Sequence, residues 1–461
     1  MHRLKFAPVP SRLSTAVHRA GVAGLLSLLG ACATAETDVL RLAASDMGDG
    51  LLAVDLGRNV SVKAIAVGAG HSCAILGDGS VKCWGDNEFG QLGLGDTQNR
   101  GDEPDEMGDA LPAVDLGGWS AVAISAGAAH TCAILDNGSV KCWGIGDARI
   151  GGSGSISGSG NRGDNIGEMG DSLPPVSLGV GRTAKGIAAG QSRTCAVLDD
   201  GSVQCWGSNE DGELGVGSKA AMTKGAVLLG SKASSVVVGW HHACALIEGG
   251  AVKCWGTNKE GQLGSENKAA RGARPDDMGD ALPAVSLGQG ATALASTWTH
   301  TCAILDDGAV KCWGNNSSAE LGVGDSNNRG SAGGEMGDAL PPVNLGAGRT
   351  ATAITAGTHT TCAILDNSAV KCWGTNFNGT LGTGGASDNR GDNRAEMGDA
   401  LPEISLGKSR TAKAIASAKV HRCALLDTGK VKCWGENSSG QLGQADTKAR
   451  GFVQVVEAPV E

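Results

Sequence analysis

Tyrosine is absent from this 461-residue chain, and aromatic residues make up only 3% of it. The ten tryptophans therefore stand out as placed residues. Charged residues are also scarce, at 19%, and the formal net charge is −10. An acidic chain lacks the basic footprint that nucleic acid requires, so no nucleic-acid partner is expected. No stretch beyond the N-terminus keeps a helical period of apolar residues. The apolar run Ala20 to Ala31 is too short for a permanent transmembrane helix. What the chain does have is 75 glycines and many short apolar runs between turn signals, the composition of an all-β protein with many turns.

Cysteine is the informative residue. The stretch His130-Thr131-Cys132-Ala133-Ile134-Leu135-Asp136-Asn137-Gly138-Ser139-Val140-Lys141-Cys142-Trp143-Gly144 reads as two short strands around a turn. A three-residue loop ending in glycine fits a type I turn closed by a G1 bulge. That turn places Leu135 opposite Ser139, Ile134 opposite Val140 and Cys132 opposite Cys142. The stretch returns around Cys73 and Cys83, Cys195 and Cys205, Cys244 and Cys254, Cys302 and Cys312, Cys362 and Cys372, and Cys423 and Cys433. Successive first cysteines lie 49 to 63 residues apart, a period that signals repeat architecture. Each unit adds a loop and strand such as Glu106 to Gly117, then a second strand (Ala121 to Ala126), before its hairpin. Four strands in each of seven units predict a seven-bladed β-propeller with four-stranded blades. A strand-like copy at Asp46 to Gly57 precedes the first hairpin and another at Phe452 to Val456 follows the last, so one of them is expected to complete a shared blade. Gly225 to Gly230 is a degraded first strand without the Met-Gly-Asp loop. The second unit carries a Gly/Ser-rich insert, Ile145 to Asn161.

Residues 1–31 carry the marks of an export signal: a basic start, an apolar core and Leu29-Gly30-Ala31-Cys32. That end is similar to a bacterial lipoprotein box, in which Cys32 becomes the lipidated first residue. Ordinary cleavage after Ala33 or Ala35 is the alternative. Residues 32–45 follow as a tether, and 46–461 as the propeller. The expected location is the cell envelope, with the membrane reached through the lipid anchor alone.

The signature Ala-Ile-Ser-Ala-Gly-x-x-His-Thr-Cys-Ala-Ile-Leu-Asp-x-Gly-x-Val-Lys-Cys-Trp-Gly, followed by Asn-x-x-Gly-x-Leu-Gly as at Asn87 to Gly93, resembles the regulator of chromosome condensation repeat family from about Asp46 onward. The resemblance implies a seven-bladed propeller. It implies function poorly, because family members range from nucleotide exchange on a small GTPase to plant ultraviolet reception. Gly239-Trp240-His241-His242-Ala243 and Trp298-Thr299-His300-Thr301 only partly echo the Gly-Trp-Arg-His-Thr repeats of the plant photoreceptor. A secreted bacterial relative that inhibits β-lactamases through loops on one face is the precedent nearest in kind.

The hairpin register puts each cysteine pair at a non-hydrogen-bonded position, with side chains on one face and Cα atoms within disulfide range. Export supplies an oxidising compartment, so seven intra-hairpin disulfides are expected. A Cys₂His zinc set is the competing arrangement, since His71, His130, His242, His300 and His421 lie two residues before a hairpin cysteine. Arg193 and Thr360 stand there in the other two hairpins and no fourth ligand is apparent, so no metal and no cofactor are expected. These histidines are read as hydrogen-bonding groups between blades. Met107, Met169, Met278, Met336 and Met397 recur at one loop position and are read as gap-fillers. The acidic loops Asp102 to Asp109, Asp164 to Asp171 and Asp392 to Asp399 lack the spacing of a known calcium motif, and Arg100, Arg162 and Arg390 point to surface ion pairs there.

The slot two residues before the histidine varies: Ala69, Ala128, Gln191, Trp240, Trp298, Thr358 and Lys419. Adjacent blades offering Trp240 and Trp298 from loops on one face have the chemistry of an interaction hot spot. Trp240, Trp298, His241, Arg193 and Lys419 are thus the partner-binding candidates. Every His and Cys reads as part of the repeat, so no enzyme is expected. The chain is read as a monomeric, envelope-anchored scaffold for an unknown protein partner. The alternative is a structural or adhesive surface protein binding polymer or sugar, with calcium dependence as its mark.

Overall fold

The computed structural model describes residues 46–146, 160–220, 225–384 and 389–451. The expected signal, Cys32, the tether and the Phe452 to Val456 strand lie outside these residues, as does most of the second-unit insert. Seven separate antiparallel sheets follow one another along the chain, the blades of a seven-bladed propeller. In the second blade an inner strand (Ala121–Ala126), a middle strand (His130–Leu135) and an outer strand (Val140–Gly144) pair in order. Ile134 faces Val140 and Cys132 faces Cys142, and the Leu135 N–H donates to the Ser139 carbonyl at 2.8 Å, the register the turn dictates. Gly138 supplies the positive φ, +77°, that the bulge requires.

Each middle strand is buried along its whole length, because both its faces are covered. The seven hydrophobic clusters lie between blades. Cys73, Ile75, Val81 and Cys83 of the first blade, for example, meet Ala133, Leu135 and Trp143 of the second. The signature tryptophans belong to these clusters, and the Trp143 Nε1–H donates to the Gln91 carbonyl of the preceding blade at 3.0 Å. Met169, Met278, Met336 and Met397 sit in the clusters and Met107 against one, as gap-fillers should. The lysine of Val-Lys-Cys-Trp-Gly has a role its sequence did not announce. Lys82 Nζ donates to the carbonyls of Leu56 and Gly108, and Lys141, Lys253, Lys311 and Lys371 repeat this bridge.

The fourth strand of the blade is reduced in most units. Six sheets have three paired strands and one has four. The unit's first segment lies against the preceding blade, usually through a single ladder bond: Val114 N–H to Val81 O, Val176 to Val140, Val285 to Val252, Val343 to Val310, Ile404 to Val370. In those five a proline stands two residues earlier (Pro112, Pro174, Pro283, Pro341, Pro402) and removes a donor. Gly225 occupies that position in the segment that looked degraded. There Gly225–Ala226 does pair as a fourth strand, against Val203–Gly207.

The same displacement closes the ring. Val54 N–H donates to Val431 O at 2.8 Å, and Met47 and Leu51 pack beneath Trp434. The N-terminal copy therefore completes the seventh blade, whose other strands come from the chain's far end. The inner strands of the first and seventh blades, Val62–Val67 and Ala412–Ser417, lie side by side.

All seven cysteine pairs are within disulfide bonds, with Cα atoms 4.0–4.1 Å apart. Thiol titration of the protein in denaturant, without reductant, should find no thiol among these fourteen cysteines. Two or more per chain would contradict the seven bridges. Each 10-residue loop should stabilise by up to about 2–3 kcal/mol in the chain-entropy model.

Candidate functional site

The loops joining inner to middle strands gather around the central axis. Ala69, Ala128, Gln191, Trp240 and Lys419 line one small central cavity of about 80 Å³, far below the several hundred Å³ of a typical small-molecule site. The blades are stitched there backbone to backbone: Ala69 N–H to Gly127 O, Ala128 to Gly190, Trp240 to Thr297, Thr358 to Ala418. The Asn-x-x-Gly-x-Leu-Gly loops lie on the same face, since Asp86 N–H donates to Gly70 O and Asn315 N–H to Thr299 O. Within such a loop Asn87 accepts from Leu92 N–H and donates to Asp96 O. Gly90 cannot carry a side chain, because a Cβ there would lie 2.3 Å from Asp164 N in the next blade's loop.

Below the loops runs a ring of side-chain bonds between blades. His71 Nε2 meets Thr131 Oγ1 at 2.9 Å, His130 meets Thr194, His242 meets Thr301, His300 meets Thr361 and His421 meets Ser72. These histidines are therefore inter-blade pins, and no cluster of three metal-ligating side chains occurs among the described residues. Burial, with the next histidine of the ring adding to it, holds His71 at a pKa of about 3.

The two hairpins without histidine are solved differently. Arg193 was expected at the partner surface. It is instead 1% exposed, because Ala243 replaces the threonine that a histidine would bond and the longer guanidinium reaches past it. Its Nη2 donates to Glu213 Oε1 at 3.0 Å and its Nη1 to the Trp240 carbonyl. Burial alone would raise the pKa of Glu213. The nearby His241 ring and the Arg193 charge overcome this and hold it below the ordinary carboxylate range. Removing the carboxylate with Glu213→Leu leaves a buried, unpaired guanidinium, and should cost about 3–5 kcal/mol by chemical denaturation. Arg193→His together with Ala243→Thr should restore stability in that background by rebuilding the pin. A loss below 1 kcal/mol would show the pair to be incidental.

Above this layer the sevenfold pattern breaks. Trp240 and Trp298, both half-buried, lie with ring centroids 4.9 Å apart at a 56° tilt. The ring of His359 meets Trp298 edge-on at 4.8 Å. His359 Nδ1 in turn bonds buried Glu320 at 3.0 Å, and exposed His241 leans toward Glu213 at 3.7 Å. Phe377, in the sixth blade's loop, is 64% exposed. Blades four, five and six thus present an aromatic arc on one face, and Lys419 stands exposed on the seventh. Of the sequence candidates the structure brings Trp240 and Trp298 together, keeps His241 and Lys419 on the same face, and withdraws Arg193 below it. Sequence reasoning missed His359, Glu213 and Glu320. His241 and His359 lie one residue before the ring position, outside the repeat, and that offset was the available signal.

The acidic loops bond largely within themselves, although Asp102 Oδ1 is buried without a hydrogen-bond partner. Glu106 accepts from the backbone N–H groups of Gly101 and Glu103. Arg100 pairs with Asp96 at 2.7 Å, Arg162 with Glu168 at 3.8 Å and Arg390 with Glu396 at 3.7 Å. Gly101, between Arg100 and Asp102, is buried, and a Cβ there would come within 2.8 Å of Gly440 O.

Residues 118–460 match the RCC1-like domain, and residues 62–91 and 78–134 match the regulator of chromosome condensation (RCC1) repeat. The chain belongs to the RCC1-like domain family. Among curated proteins this RCC1-like chain is 29% identical to the ultraviolet-B receptor UVR8 of Arabidopsis thaliana, over 86% of its own length and 82% of the receptor's. It is 28% identical to the human E3 ubiquitin-protein ligase HERC2 over 207 residues, which is 4% of that protein. Among solved structures, the Saccharomyces cerevisiae RCC1 protein Prp20, solved bound to Kap60, superposes with a TM-score of 0.59 at 19% identity, covering 81% of this chain and 79% of that one. Human WBSCR16 gives a TM-score of 0.57 at 18% identity, covering 79% and 87%. These likenesses carry the fold.

Proposed function

We propose that this RCC1-like propeller is a non-catalytic, envelope-anchored scaffold that binds another protein through the aromatic face. One observation carries it: Trp240, Trp298, His359 and Phe377 share a face, while the rest of the repeat is occupied in holding blades together. Partly exposed tryptophans at the centre of a face are the residues that dominate interface energies. The carboxylates beneath them are tied to His359 and Arg193, and the central cavity is too small for a substrate, which supports a binding role over a catalytic one. Prp20 in its complex with Kap60 is a precedent for such a propeller engaging a protein.

A photo-reactive residue at position 298 should cross-link a partner in envelope extract, whereas one at Val180, exposed beside the Asp199 turn on the opposite face, should not. Trp240→Ala with Trp298→Ala should weaken the captured complex by at least about thirtyfold and leave the disulfides intact. Equal cross-linking from both faces would end the reading. Saturation of the cross-link by an oligosaccharide would favour the sugar-binding alternative. The anchor is tested separately: Cys32→Ala should move the protein from the detergent phase to the aqueous phase. Unchanged partition would remove the lipid from the proposal and leave the face intact.

A further inference from the structure

At the junction of the sixth and seventh blades the pin is inverted. Thr360 stands where five hairpins have histidine, and Arg422 stands where the neighbouring blade has threonine or serine. Arg422 is 1% exposed. Its Nη2 donates to Thr360 Oγ1, while its Nε and Nη1 have no hydrogen-bond partner. Among the described residues no carboxylate pairs with it. Buried Arg193 shows what this fold does with such a charge when a counter-ion is at hand, since Glu213 lies 3.0 Å away.

Two further polar atoms at the same junction are buried and unpaired: Ser417 Oγ and Thr358 Oγ1. Ser417 is the strand partner directly opposite Arg422, and Thr358 N–H is bonded to Ala418 O. At the fourth-to-fifth junction the equivalent Ser296 and Thr301 both converge on the imidazole of His242. Here the imidazole is gone, and its surroundings are two hydroxyls and a guanidinium with free N–H groups.

We propose that this junction binds a small monovalent anion of the halide class, held by Arg422 Nε and Nη1 with the Ser417 and Thr358 hydroxyls. A buried charge requires a counter-charge, which water cannot supply. All of these atoms are buried, which favours a small ion over sulfate or phosphate. Ser417, Ala418 and Lys419 also line the central cavity, so the ion has a path past a cationic rim. Burial alone brings the Arg422 pKa down to about 9, the mark of a guanidinium with no counter-charge beside it.

The test uses the exported propeller with bromide as probe. Crystals grown in sodium bromide should give one buried anomalous peak at hydrogen-bonding distance from Arg422 Nε. In melts at constant ionic strength, with gluconate replacing bromide, Tm should rise by about 2 °C per tenfold step above saturation. Thr360→His with Arg422→Thr rebuilds the ordinary pin and should flatten that dependence. An ordered water without anomalous signal at the site, or equal bromide slopes in the two proteins, overturns the proposal.

Discussion

Deleting residues 46–57 is expected to open the ring and release the seventh blade. The segment contributes Met47, Leu51, Val54 and Leu56, which are 4%, 1%, 3% and 5% exposed. Fully burying such side chains is worth about 1.5–3 kcal/mol each, so the four together contribute about 6–12 kcal/mol. That is comparable with the whole net stability of a typical domain, about 5–15 kcal/mol. Several polar ties go with them, among them Val54 N–H to Val431 O and Lys432 Nζ to Gly48 O. Hydrogen exchange should show the loss first in Val431–Gly435 and Ala412–Ser417, with blades two to five retaining protection. Proteolytic nicks would be held together there by the Cys423–Cys433 bridge. An unchanged exchange pattern in the seventh blade would show that the ring closes some other way.

Mild acid should be the second large perturbation, and the ring of pins is the cause. Burial holds His71, His242 and His421 at pKa values of about 3, and His300 at about 4. The geometry explains the direction. Thr131 donates its hydroxyl proton to Gln91 O, and Thr361 to Glu320 O, so the histidine must donate from Nε2. Nδ1 of each of these four rings is buried with no hydrogen-bond partner, and protonating it would bury both a charge and an orphan N–H. In the unfolded chain the same rings take up protons near pH 6.5. Their contribution is therefore complete above that pH, and it is lost as pH falls from about 6.5 toward the folded values. From pH 7 to pH 5 each costs about 2 kcal/mol, and the four together up to about 8 kcal/mol. Denaturant melts across that range should show the fall, and His71→Gln should remove one quarter of the slope by offering Thr131 a donor that does not titrate. A flat profile between pH 7 and pH 5 would mean that the pins do not stay neutral.

The fold was legible because its signals are local and repeated. A three-residue loop with glycine last admits one register, and that register alone puts Cys132 beside Cys142. Seven copies leave no other architecture that hides the apolar faces of every middle strand. The inter-blade role of the histidines also followed from the repeat, through their constant offset from the cysteine. The reading of Arg193 as a surface residue failed for a related reason. A departure from consensus looks like function in sequence. In the structure, Ala243 and Glu213 show it to be one member of a compensated set.

The sequence by itself determined the strands, the turns, the count of blades and the cysteine pairing, since each depends on contacts within about a dozen residues. Tertiary structure decided everything that links one blade to the next. It assigned the unit's first segment to the preceding blade and chose the N-terminal copy to close the ring. It set Trp240 against Trp298 across 58 positions of chain, and it left Arg422 without a counter-charge. Those outcomes depend on which surfaces meet when the ring shuts, and no spacing within one repeat encodes the neighbour it will face.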